Sequence, residues 1–198
     1  MKKNLFYVLI FVSFVVNAQT QKGNWVVGGS TQIDFSSGKT TVKYGSIEED
    51  GPTINTLAFT PSVGYFISDN IALGGEVNFT SITNKVESAG RTYKETSSIF
   101  SIMPSVTYYF SNNKTVMPYL GGAVGFATKK DKGDDVTISG DGFAWKLKGG
   151  IAYFLTESIA LDFGVRYAQH SFNYTYNNND FKQVLNSFGV NAGLSVFF

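Results

Sequence analysis

Residues 187–198 alternate in character: Phe188, Val190, Ala192, Leu194, Val196 and Phe198 fall on one side, and Ser187, Gly189, Asn191, Gly193 and Ser195 on the other. A period of two with one apolar side marks a β-strand whose two faces meet different surroundings. The same alternation sets Ile159, Leu161, Phe163, Val165 and Tyr167 against Ala160, Asp162, Gly164, Arg166 and Ala168. It recurs with Leu73, Val77 and Phe79 against Gly74, Glu76 and Asn78, and with Trp145, Leu147, Ile151 and Tyr153 against Lys146, Lys148 and Gly150. A chain written this way is confined to half-buried sheet.

The strands repeat as hairpins of one design. Val63-Gly64-Tyr65, Val106-Thr107-Tyr108, Ile151-Ala152-Tyr153 and Val196-Phe197-Phe198 share one form, and their last residues fall 43, 45 and 45 positions apart. The first three are followed by short polar clusters: Ser68-Asp69-Asn70, Ser111-Asn112-Asn113-Lys114 and Thr156-Glu157-Ser158. Each cluster opens another apolar strand, and Ile71-Ala72-Leu73 returns as Ile159-Ala160-Leu161. Four hairpins predict eight antiparallel strands. The remaining connections read as long loops, at roughly 36–52, 84–96, 128–142 and 171–185, with boundaries good to a few residues. Short turns on one rim and long loops on the other, for an even strand number, are the plan of an up-and-down transmembrane barrel.

The amino-terminal residues read as an export signal. Lys2 and Lys3 precede an apolar run from Leu5 to Val16, and Val16-Asn17-Ala18 supplies small or modest side chains at its end. About twelve apolar residues are too few for the ~20 that span a bilayer as a helix. The expected organisation is a signal peptide at 1–18, cleaved after Ala18, and a barrel domain at 19–198. The chain carries no Cys, which excludes a disulfide scaffold, a zinc–thiolate site and a cysteine nucleophile. Its net charge of +1 gives no basic field to draw nucleic acid.

A soluble ligand-carrying barrel would show the same alternation with its faces exchanged. Three features favour an apolar face turned to lipid. The polar face is rich in Gly, Ala and Ser, which suits the narrow lumen of eight strands. The apolar face gathers aromatics near strand ends, with Trp25, Tyr65, Tyr108, Tyr153 and Phe198 at one rim and Phe35, Phe79, Trp145 and Tyr167 towards the other. Such rings belong at membrane interfaces. Strands of ten to twelve residues also cover the ~25 Å apolar band. Pro61 and Pro104 stand inside descending strands, where a closed ladder has no edge to excuse a missing donor, and are read as local bulges.

Pro61-Ser62-Val63-Gly64-Tyr65-Phe66, then Asp69-Asn70-Ile71-Ala72-Leu73-Gly74, then Pro118-Tyr119-Leu120-Gly121-Gly122-Ala123-Val124-Gly125 resemble the small outer-membrane β-barrel family of OmpA/OmpX type. The resemblance covers essentially the whole mature chain. It implies residence in the outer membrane of a diderm bacterium, with termini and tight turns in the periplasm. It also implies that Phe198, with Val196 and Leu194 before it, forms the signal read by the barrel-assembly machinery. Members of the family include adhesins and small pores, so the resemblance specifies fold and location rather than activity.

Parity places Asp34, Glu76 and Asp162 inside with Lys146, Lys148 and Arg166. Three acids facing three bases in a narrow lumen predict a paired network that plugs the bore, because unpaired charge there is costly. The rival is a narrow solute path lined by the same groups. His170 is the only histidine, at the outer end of its strand; Ser171 beside it points to the opposite face of a regular strand, out of reach as a nucleophile. Lys129-Lys130-Asp131-Lys132-Gly133-Asp134-Asp135 forms no calcium ladder and reads as a solvated loop. Residues 84–96, around a Ser88-Ala89-Gly90 tip, keep alternating and predict a hairpin that projects beyond the membrane. Tyr174 and Tyr176 continue likewise in the fourth loop, and such projecting edges could take up an extracellular partner. The expected protein is thus a non-enzymatic barrel with no cofactor and no metal, structural or surface-interacting through its long loops. Its expected partners are outer-membrane lipid and the assembly machinery. A passive channel is the alternative, and a lipid-modifying enzyme comes third.

Overall fold

The computed structural model describes residues 20–33, 41–44, 47–50, 53–88, 91–110, 115–132, 137–176 and 179–198. Eight strands close into a barrel: β1 (Trp25–Ile33), β4 (Thr53–Ser68), β5 (Ile71–Ser88), β6 (Arg91–Tyr109), β7 (Val116–Lys132), β8 (Thr137–Phe154), β9 (Ile159–Tyr176) and β10 (Asn179–Phe197). A small antiparallel pair, β2 (Thr41–Tyr44) and β3 (Ile47–Asp50), lies in the first long connection. Every barrel strand pairs antiparallel with its sequence neighbour, and β10 closes the ring on β1 from Val26↔Phe197 to Ile33↔Val190. Closure leaves no edge strand in the ring, which is the condition for a sheet to survive in hydrocarbon.

The two faces separate as their alternation predicts. Outward stand Leu57, Leu120, Val124, Phe126, Phe163, Phe188 and Leu194, with Phe126 80% exposed and Phe188 63% exposed. Inward stand Glu76, Ser101, Lys146, Arg166 and Ser195, all buried. The outer face is thus apolar, and the buried charges sit within the ring. Trp25, Tyr65, Tyr108, Tyr153 and Phe198 form an outward belt at the turn end, where the Trp25 and Tyr65 rings lie 5.0 Å apart. Phe79 and Tyr167 are exposed towards the other end; Trp145 packs against Tyr167 at 5.5 Å and donates to Gln169 at 3.1 Å. Phe35 lies outside the described residues.

The first tight turn is held from outside. Asn70 adopts a left-handed backbone, φ 67°, a conformation that Asn tolerates better than other non-glycine residues. Its amide donates to the Thr20 carbonyl at 2.7 Å, and Asp69 accepts from the Lys22 amide at 2.9 Å. The segment before β1 is thereby tied across the turn, towards the floor of the barrel.

Two expectations need correction. The segments read as long loops are largely strand: β5 and β6 stay paired out to Ser88↔Arg91 and β9 and β10 to Tyr176↔Asn179, as the continued alternation there predicts, and β7 and β8 pair out to Lys132↔Thr137, where a solvated loop is expected. Strands of 16 to 19 residues replace the expected ten to twelve everywhere except β1. Their outer thirds are written in Thr, Ser, Asn and Lys, which pair well in a ladder although their polarity resembles a loop. The second correction concerns the prolines. The β4–β5 ladder skips the positions around Pro61 and resumes at Ser62↔Glu76 in unchanged register; the β6–β7 ladder does the same around Pro104. Neither is a bulge, because the intact ladder on each strand's other side, Gly29↔Pro61 and Gly75↔Pro104, fixes the register while one bond is lost. The register shift between Phe66 and Ser68 lies at the tight turn.

Candidate functional site: the barrel lumen

The strands' inward residues fill the bore in three layers. At the turn end, Phe66, Tyr109, Tyr119, Phe154 and Phe197 form a buried aromatic cluster with Met117 and Val26. Phe197 sits at its hub, with ring centres 4.9 Å from Phe154, 5.8 Å from Tyr109 and 6.3 Å from Phe66. Gly150 and Gly164 oppose each other across β8 and β9 beneath the Tyr119 hydroxyl. A Cβ on either would come within 2.8 Å of that oxygen, so the pair leaves room for the hydroxyl.

The pattern of this cluster stands openly in the sequence, yet parity reasoning from one ring per strand passes over it. Tyr65-Phe66, Tyr108-Tyr109, Tyr153-Phe154 and Phe197-Phe198 are aromatic doublets at the same stage of four strands. Adjacent residues point to opposite faces. One ring of each doublet joins the outer belt while the other enters the lumen.

Above the cluster lies the charged layer. Glu76, 2% exposed, makes ion pairs with both Lys146 and Lys148, reaching across from β5 to β8. Asp162 accepts a hydrogen bond from the Ser195 hydroxyl, and Arg166 donates to the Ser187 hydroxyl at 3.3 Å. Asn78 donates to Thr60 at 2.9 Å and accepts from Thr80 at 3.1 Å. Of the six residues expected as a lumen network, the structure thus joins Glu76, Lys146 and Lys148 directly and places Asp162 and Arg166 on the same inward face; Asp34 lies outside the described residues. A cavity of about 80 Å³ remains between this layer and the tyrosines. That is room for a few waters at roughly 30 Å³ each, far below an ordinary ligand site.

The outer layer is looser. Ile99, Met103, Ala123, Ala127, Ala144, Phe172 and Tyr174 form a second buried cluster, with Leu185 and Ile138 against it. Beside it opens a cavity of about 360 Å³, bounded by β5, β6, β8, β9 and β10. His170, expected at the rim, instead sits on the inward face with β9 continuing to Tyr176, and its ring stacks on Phe172 at 5.8 Å. Ser171 alternates to the other face, so imidazole and hydroxyl do not meet as base and nucleophile. Further out, Lys129 binds Asp131 at 2.8 Å and Gln183 at 3.1 Å, while Ser97 donates to Asp131. Part of the expected lysine-rich loop is therefore the paired end of β7. Among the described residues no cluster of acidic or histidine side chains is arranged to hold a metal ion.

Eight closed strands, apolar outside and charged within, match the model of one protein family, the outer membrane protein beta-barrel domain, over residues 5–195. The chain belongs to this family. Membership implies the outer membrane as its location. Among solved structures it resembles Neisserial surface protein A, at 21% identity over 89% of this chain and 98% of that one, with a TM-score of 0.55. It resembles OprG from Pseudomonas aeruginosa at 14% identity over 92% of this chain and 99% of that one, TM-score 0.54. The likeness to AlkL, determined by solid-state NMR in DMPC bilayers, is 20% over 93% and 94%, TM-score 0.56. At such identities the shared property is the fold. No curated protein matches the sequence.

Proposed function

We propose that the protein is a non-conducting, non-enzymatic outer-membrane barrel whose role is structural or surface-interacting, exercised through its outer hairpins. The observation that carries this reading is the aromatic cluster around Phe197, which fills the bore at the turn end, with the Glu76–Lys146–Lys148 ion pairs above it. Eight strands leave an interior that side chains can fill, and here they are of the size to do so. The tight turns then face the periplasm and the hairpins the exterior, where strand edges rich in Tyr, Thr and Asn can meet an extracellular partner. Residues 1–18 serve as the cleaved export signal. Phe198, Leu194 and Val196, on the outward side of the strand that closes the ring, present the assembly signal. Planar-bilayer recording of the purified protein tests the reading: the expected result is a quiet membrane, and stable single-channel steps would establish the passive channel instead.

A further inference from the structure

The lysine-rich end of β7 divides by face. Residues 129–132 are strand, so alternation sends Lys129 and Asp131 into the lumen and Lys130 and Lys132 to the outward side. The inward pair is self-contained, with Lys129 bound to Asp131 at 2.8 Å. The outward pair is not: both side chains are exposed, and among the described residues neither ammonium has an ion pair. Hydroxyls flank both. Lys130 stands between Ser98 of β6 and Ser139 of β8, and Lys132 between Thr96 and Thr137. Directly opposed residues share a face with Cβ atoms about 5 Å apart, so each lysine has a hydroxyl within reach on either side. Thr96 also meets the Thr83 hydroxyl at 3.4 Å. Immediately below, the wall is apolar. Phe100 opposes Thr128, and Phe126 lies between Ile102 and Phe143; all four of these apolar side chains are exposed. One carboxylate shares this face: Asp141, opposite Thr128, is diagonal to Lys130 and not paired with it.

We propose that this stretch of β6, β7 and β8 binds a lipid whose head group ends in a phosphate monoester. Cations just above an exposed apolar wall stand at the level of lipid head groups, with their aliphatic stems along that wall. The two lysines lie about 7 Å apart along the strand, so one phosphate fits between their ammonium groups. A monoester approaches two negative charges and leaves three oxygens to accept from the lysines and the flanking hydroxyls. A diester carries one charge and leaves two oxygens. The acyl chains then run down over Phe126, Phe143 and Ile102. With the hairpins outside, as in the reading above, the bound lipid belongs to the outer leaflet.

Native mass spectrometry of the full mature chain released from nanodiscs tests this. The discs hold phosphatidic acid, phosphatidylglycerol and phosphatidylcholine in equal amounts with identical acyl chains. The expected result is one phosphatidic acid retained per chain, about tenfold over either of the others, the scale of one hydrogen bond to a charged group. Replacing both lysines, Lys130→Gln with Lys132→Gln, is expected to remove that preference. Lys182→Gln, at an exposed lysine on the outward face of β10, is expected to leave it unchanged. Should the double variant fail to fold, the comparison of head groups on the unaltered chain and Lys182→Gln still decide. Phosphatidylglycerol retained as well as phosphatidic acid, an undiminished preference in the folded double variant, or an equal loss in Lys182→Gln would each overturn the proposal. The readout is independent of conductance, so it stands or falls separately from the closed-bore reading.

Discussion

The turn half and the hairpin half of the lumen are built by the same strands, yet one keeps a cavity of only about 80 Å³ and the other one of about 360 Å³. The difference lies in side-chain size at inward positions. Near the turns, four aromatic doublets deliver one large ring per descending strand, and opposed glycines leave room for the hydroxyl of a fifth. Under the hairpins, Ala123, Ala127, Ala144 and Ala168 are buried among a few larger groups, and the larger cavity, lined by Ala168, lies beside them. An eight-strand ring becomes a cup rather than a tube because its filling is graded along the axis. The Glu76 layer marks the boundary.

Two substitutions should have the largest effects, both on the packed side of that boundary. Glu76→Ala leaves Lys146 and Lys148 facing each other with their shared carboxylate removed, and breaking a buried pair in this way costs about 3–5 kcal/mol. Urea unfolding in lipid vesicles reads the loss, and replacing all three charged residues by apolar ones of similar volume should restore most of it. An unchanged midpoint for Glu76→Ala would mean that water reaches the layer freely. Phe66→Ala, at a fully buried ring, is expected to cost a comparable ~3–5 kcal/mol and to introduce conductance where the unaltered chain has none. A smaller effect is expected across the boundary. Ile99→Val, in the outer cluster, should cost about 0.5–1.5 kcal/mol while enlarging the neighbouring cavity. If Ile99→Val proved as damaging as Phe66→Ala, the contrast between the halves would be lost.

The sequence carries this contrast unevenly. Faces are legible because parity is strict: Phe163 and Leu194 outside, Glu76 and Lys146 inside, all follow from counting along a strand. The ion pairs of Glu76 follow in kind but not in partner, since which lysine meets it depends on the stagger between β5 and β8. Strand ends are poorly legible because Thr, Ser and Lys serve a solvated ladder as readily as a loop, and three hairpins therefore extend further than polarity suggests. The outer cavity leaves no local mark. It is bounded by residues of five strands, such as Asn78, Ile99 and Ala168, brought together only by closure of the ring.

Because the chain has no cysteine, single cysteines report access without interference. Ile82→Cys and Leu185→Cys sample the outer half, and Ala152→Cys and Ala160→Cys the turn half. A small, charged, membrane-impermeant thiol reagent applied to intact cells should modify the first pair and leave the second untouched until the protein is unfolded. Modification of Ala152→Cys from outside at the rate of Ile82→Cys would show a bore open from end to end and contradict the account.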